Sequence, residues 1–167
     1  MSDETGEAID ARARLVAWAE GEVGLQDPAK YYAICAPQFL GTKPNEKSWC
    51  GIFVLAGLRT LELCDWDWST RRTEPGFVYR LRPIAFPDVG DIAVFQKSAD
   101  GVRDLWHHAI VRRPPIGGLV DTVDGNVLWA PAEGVALKTH RIRSALGDRF
   151  YSIAGLLADR AGATVKV

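Results

Sequence analysis

The segment "SWCGIFVL" (residues 48–55) places a thiol, Cys50, where polar sequence gives way to an apolar run. If a helix starts there, Cys50 lies beside unpaired backbone N–H groups and the positive end of the helix dipole, which both favour thiolate over thiol. The simpler reading is packing, because cysteine is among the most buried residue types. A nucleophilic thiol needs a base, and the chain has three histidines, His107, His108 and His140. The first two are adjacent in "HHAIV". Strand side chains alternate faces, so His107 shares a face with Ala109 and Val111, His108 shares one with Ile110 and Arg112, and one of the pair is expected to face the thiol. Arg112 hints that the His108 face reaches solvent, but parity leaves the choice open. A third group must orient the imidazole, and "TVDGNV" offers Asp124 and Asn126. In extended chain these two project from one face, with Gly125 permitting a bulge; a plain Asp-Gly-Asn turn is the simpler reading. Of the six tryptophans, Trp49 and Trp106 adjoin the thiol and the base and are the candidates for a substrate-cleft wall.

Other chemistries find less support. There is no phosphate-binding glycine loop, dinucleotide fingerprint, serine elbow or His-Glu-x-x-His, so no cofactor is expected. The scattered Cys and His residues resemble no compact zinc pair, so no metal is expected either. Three cysteines, an odd number, argue against a disulfide framework and for at least one free thiol, with Cys35 as packing filler. A net charge of −1 gives no electrostatic case for nucleic acid or a membrane surface as partner. The polar, acidic start "MSDETGEAID" lacks a signal-peptide pattern and no apolar run is long enough to span a bilayer, so synthesis as a soluble cytoplasmic chain is expected.

These side chains need a scaffold, and 167 residues, 47% hydrophobic and 25% charged, suffice for one well-buried core; a single domain over 1–167, monomeric, is expected. From Glu7 to about Glu22, Ala8, Ile9, Leu15, Val16 and Ala19, with Val23 beyond, recur at helical spacing, and Gly24 offers a stop. "LQDPAKYYAICAPQFLGTKPNEK" reads as short helical turns and loop. A buried helix is predicted from about Trp49 to Leu63, capped by Ser48, with Cys50 in its first turn. The stretch from about Asp65 to Ala85 reads as a long excursion carrying one short strand. Then "DIAVFQ", "HHAIVRR", "LVDTVDG", "VALKTHRI" and "RFYSIAGLL" are β-rich runs separated by turn residues, as in an antiparallel meander. Helices first and strands second imply an α+β fold whose small sheet packs on the central helix.

The ordered motifs resemble those of the CHAP and NlpC/P60-type cysteine peptidases and amidases, papain-like enzymes that cut the peptide part of bacterial cell walls. "SWCGIFV" is similar to that family's W-C-x-x-F-V, "PDVGDIAVF" to P-G-D-I-V-V-F, "HHAIV" to H-V-A-I-V and "VDGNV" to a strand-ending E-G-N. "LVAWAEGEVGLQD" resembles the leader helix of phage-associated members. The likeness spans about Leu15 to Asn126, with closing strands compatible to about 153. It implies a papain-like fold, Cys50 as nucleophile, His107 as base, and Asn126, ranked slightly ahead of Asp124, as the group orienting the ring. It also implies a peptidoglycan peptide as substrate and action on the wall after release or export, as a phage lysin, tail enzyme or exported effector. A non-enzymatic phage structural or wall-binding protein, or a papain-like enzyme acting on protein amides, are the rival expectations. The Asp65–Ala85 stretch and the "RRPPIGG" loop depart from a minimal member, and such loops shape substrate preference.

Overall fold

In the computed structural model, residues 6–41, 49–68, 77–97, 106–129 and 132–156 are described. Among these residues three α-helices, α1 (Gly6–Gly21), α2 (Ala29–Cys35) and α3 (Cys50–Thr60), precede six strands: β1 (Arg82–Ile84), β2 (Ile92–Gln96), β3 (Trp106–Ile116), β4 (Leu119–Trp129), β5 (Ala132–Arg141) and β6 (Arg149–Ser152). The strands form one sheet in the order β1-β6-β2-β3-β4-β5, and every neighbouring pair is antiparallel. The architecture is α+β, with the segregation of helices and strands that the sequence implies. No described helix is long and apolar enough to cross a membrane.

Period-two alternation divides the sheet into two unlike faces. Ile92, Val94, Ile110, Val123, Val135 and Tyr151 join the main core with residues of all three helices, whereas Ala93, Phe95, Ala109, Val111, Val120 and Phe150 form a smaller core on the reverse. Helix α3 is central: every residue from Cys50 to Leu58 is buried. Burying Ile52, Phe53, Leu55 and Leu58 supplies about 2 kcal/mol or more apiece. The helix is shorter than the Trp49–Leu63 expectation at both ends. At its close Glu62 turns left-handed (φ 57°), the Leu63 N–H bonds back to Leu58 O and the Glu62 N–H to Arg59 O, a Schellman ending sealed by buried Leu58 and Leu63. Trp49 occupies the cap position without a side-chain cap bond. The expected cap Ser48 and residues 69–76 of the 65–85 excursion lie outside the described residues.

Helix α1 buries Ala11, Leu15, Val16 and Ala19, while Val23, past its end, is exposed rather than part of the stripe. Its Arg12 is buried too, and donates to Asp91 Oδ1 at 2.9 Å and to Ser152 Oγ at 3.0 Å. Asp91 also receives the Asp88 N–H at 2.9 Å, so the "PDVGD" turn is locked to α1 as it delivers the chain into β2. Burial pushes the Asp91 carboxyl above its usual range, and the Asp88 N–H and the Arg12 charge act against that rise.

"RRPPIGG" is not a loop. β3 runs on through Pro114 and Pro115 to Ile116, and the two-residue turn Gly117-Gly118, both at positive φ, leads straight into β4. The register shifts between Val111 and Arg113 and between Arg113 and Ile116, irregularities that let prolines, which donate no ladder bond, remain within a strand.

Candidate active site

β3 begins beside the start of α3, and this meeting sets the site. Trp106 opens the strand and its carbonyl oxygen lies 4.0 Å from Cys50 Sγ. His107 and His108 diverge from that point. His107 belongs with Phe95, Ala109 and Asp124 on the face away from the helices; His108 points toward Trp68 and Phe77, its ring centroid 6.0 and 6.2 Å from theirs. The expectation that only one of the pair faces the thiol is corrected: both rings act on the Cys50 thiol, and Sγ lies 3.8 Å from His108 Nδ1. The thiol stands off the end of the strand, beside the backbone from which the two rings part, so opposite parity does not separate them from it.

The two histidines have different surroundings. His107 Nε2 donates to Asp124 Oδ2 at 2.6 Å, leaving Nδ1 for the thiol. His108 Nε2 is buried with no hydrogen-bond partner among the described residues. His107 is therefore the ring tied to a carboxylate, and it stands between Asp124 and the thiol whose ionisation it favours.

β4 supplies the carboxylate because the extended chain continues through "TVDGNV" instead of turning there. The ladder with β5 is irregular between Asp124 and Val127, and Asn126 adopts the left-handed region (φ 61°) that asparagine tolerates better than most residues. This bulge breaks the regular alternation that relates Asp124 to Asn126. Asp124 receives the His107 N–H, in the position for which Asn126 had been ranked slightly ahead. Gly125 faces the other way, where a Cβ would come within 2.6 Å of Phe53, so its lack of a side chain lets α3 press against β4 next to Asp124. Gly51, at the helix start, leaves room for the Trp68 ring, which a Cβ would strike, and for His108 Nδ1, 3.1 Å from that position.

Asp124 is completely buried and its oxygens are fully engaged: Oδ1 accepts from Thr122 Oγ1, and Oδ2 also accepts from His140 Nε2 at 2.7 Å. His140 was not assigned a role by sequence reasoning. The only signal was parity: on β5 it pairs with Val120, and so shares a face with Thr122 and Asp124. Among the described residues His107, Asp124 and His140 are the one group of three potential metal ligands, their ligand atoms all within 4.8 Å. Ligands of a tetrahedral zinc at about 2.0–2.2 Å stand roughly 3.3 Å apart. The 2.6 and 2.7 Å separations are those of direct hydrogen bonds, so the arrangement is a hydrogen-bonded cluster.

Electrostatics follow from this geometry. Burial opposes ionisation of Cys50, but its interactions with the His107 and then the His108 ring outweigh it and hold the thiol well below its usual range. Burial disfavours the His107 cation, yet the Asp124 and Cys50 bonds prevail and lift its pKa from 6.5 to about 9. Asp124 is likewise penalised by burial, but its two imidazole donors hold it far below the usual carboxylate range. Cys50 and His107 thus favour a thiolate–imidazolium pair over the neutral pair. Cys35 is the contrast: packed against the Tyr31 and Ile52 carbonyls at 3.5 Å, it is pushed up to about 12, chiefly by burial, and is the filler expected of it.

The two tryptophans divide. Trp49 is completely buried with its ring stacked on Tyr31 at 5.8 Å, so it fixes the start of α3 from within the core and is not a cleft wall. Trp106 is partly exposed beside the thiol, with the Arg149 guanidinium 5.8 Å from its ring. Comparison with family models, with curated proteins and with solved structures finds no match to this chain.

Proposed function

We propose that this chain is a papain-like cysteine hydrolase that cuts an amide bond, with Cys50 as nucleophile, His107 as proton carrier and Asp124 as the group that orients His107. The observation that carries the reading is a thiol at a helix start beside two imidazoles that favour its ionisation, one of them bonded to a buried carboxylate. In this reading the Cys50 proton resides on His107 Nδ1 and the thiolate attacks the amide carbonyl. Backbone N–H groups in the first turn of α3 stabilise the oxyanion. Collapse to a thioester expels the amine, which takes the proton from His107, and His107 then draws a proton from the water that hydrolyses the thioester. Asp124 keeps Nδ1 aimed at sulfur and balances the imidazolium.

A peptidoglycan stem or cross-bridge peptide, or the bond from the sugar to the first alanine, is the proposed substrate class. It rests on the order of the four motifs, from "SWCGIFV" to "VDGNV", and not on the geometry. The rival non-enzymatic role predicts a buried, unreactive Cys50 beyond hydrogen-bond reach of either histidine; Cys50 is buried, as that role expects, but its Sγ lies 3.8 Å from His108 Nδ1, and the reactivity of the thiol decides between them. The test is digestion of purified peptidoglycan by wild type and by Cys50→Ala, with product masses. Soluble peptide-bearing fragments from wild type alone are expected. A Cys50→Ala protein that folds normally and releases as much would overturn the catalytic assignment, and cleavage of protein but not wall would move the substrate class.

A further inference from the structure

His140 has no part in the relay just described, yet it touches the atom on which that relay depends. Resting on the proposed hydrolase reading, we propose that His140 is a positioning residue, whose Nε2–H anchors Asp124 Oδ2 so that the carboxylate presents the correct edge to His107.

Asp124 must hold one orientation to aim His107 Nδ1 at sulfur, and three donors fix it. Thr122 takes Oδ1, while His107 and His140 share Oδ2 at 2.6 and 2.7 Å. Thr122 lies two residues away on the same strand and fixes one oxygen; rotation about that anchor still moves Oδ2. His140 removes this freedom from the neighbouring strand. Its own ring is held by stacking on Phe95, with centroids 4.2 Å apart and planes 23° from parallel. The two imidazoles approach from opposite neighbours of β4, their centroids 5.9 Å apart, so the carboxylate sits in a fork rather than at the end of a line.

Among the described residues, the titratable groups facing this fork are His107 from β3, Asp124 from β4, the Cys50 thiol from α3 and, two residues along β5, Lys138. On that side β2 and β6 contribute Ala93, Phe95 and Phe150, which do not titrate. His140 is the solvent-reaching member, its side chain 24% exposed against 4% for His107 and none for Asp124, so it can be exchanged without opening the buried pair.

Two substitutions separate donation from packing. His140→Phe keeps an aromatic ring against Phe95 but donates nothing, and His140→Gln keeps an N–H donor but does not stack. The readout is the rate of iodoacetamide labelling of the Cys50 peptide against pH, which needs no substrate, followed by the pH profile of hydrolysis. In His140→Phe the labelling limb is expected to move up by about one pH unit, a tenfold loss of thiolate, with kcat/KM reduced roughly tenfold or more, as for one charge-assisted hydrogen bond. His140→Gln is expected to recover most of both. A His140→Phe profile superimposed on wild type, or a His140→Gln protein no better than His140→Phe, overturns the positioning role. Wild-type Cys50 labelling with the pH dependence of an ordinary thiol would instead overturn the hydrolase reading beneath it, so the two failures are distinct.

Discussion

Replacing Asp124 by Asn isolates the charge on which the relay depends. The exchange is nearly isosteric, and the site can absorb it: of three donors now aimed at two oxygens, the Thr122 hydroxyl can rotate to accept from the new amide, leaving the remaining oxygen to His107 and His140. What disappears is the negative charge beside a buried imidazolium. The rise of His107 from 6.5 to about 9 corresponds to about 3 kcal/mol of preference for the protonated ring. Asp124 and Cys50 both produce it, by hydrogen bond and by charge, so removing the carboxylate should cost roughly tenfold or more in the thiolate–imidazolium population. Iodoacetamide labelling of Cys50 at pH 6 to 7 should therefore slow by about that factor, and the upper limb of kcat/KM should fall from about 9 toward 6.5. Stability should follow the same signs. Asp124, depressed in the folded state, adds stability above about pH 4 that is lost as pH falls, whereas His107, raised, adds stability below about 6.5 that is lost as pH rises through about 9. Cys50, depressed in the folded state, offsets the His107 loss over the same range, so the limb that reports on Asp124 is the acid one: wild-type melts should weaken as pH falls below about 4, and this loss should be absent in Asp124→Asn. If a folded Asp124→Asn protein keeps the wild-type labelling rate and an upper limb near 9, Asp124 does not hold the His107 proton and the relay is wrongly drawn.

Exchanging the adjacent histidines separately should split them: His107→Ala is expected to abolish hydrolysis, while His108→Ala should leave measurable turnover, because His108 has no orienting partner on Nε2 among the described residues. Equal loss in both folded variants, measured by product release, would make the pair a shared base. Far from the thiol, Arg12→Met should strand the buried Asp91 carboxylate and cost about 3–5 kcal/mol, lowering the melting temperature by roughly 10 °C or more, with partial recovery in Arg12→Met/Asp91→Asn. A calorimetric scan showing no change would mean that the "PDVGD" turn is held by its own backbone bonds.

Much of the scaffold was legible because its signals are local. The stripe formed by Leu15, Val16 and Ala19 and the alternation in "DIAVFQ" each report which face of an element is buried, and the helix-then-strand order then gives an α+β layer. What failed locally was repaired by distant partners. Prolines marked residues 112–118 as a loop, since one strand alone gives no sign that β4 will pair across a bulge. Trp49 read as a wall because it adjoins a thiol, but whether its ring meets solvent or Tyr31 is decided by α2, a separate element.

The site was legible in its residue types and only partly in their pairing, and the reason lies in how β4 is built. Parity arguments treat a strand as regular, whereas Asn126 at φ 61° breaks the ladder just after Asp124, so two residues that seem equivalent in sequence have different neighbours. The thiol likewise meets the end of β3 rather than its middle, where a rule about faces no longer separates His107 from His108. His140 carries no local sign at all, because its nearness to Asp124 exists only after β5 has registered on β4 with Val120 opposite His140. Cys35 and Cys50 make the same point in opposite directions. Both are buried thiols, Cys50 opening α3 and Cys35 packed against it, and one is driven up to about 12 while the other is held well below its usual range. Burial acts alike on the two, so the difference rests on the strand-borne rings that meet Cys50 and not Cys35.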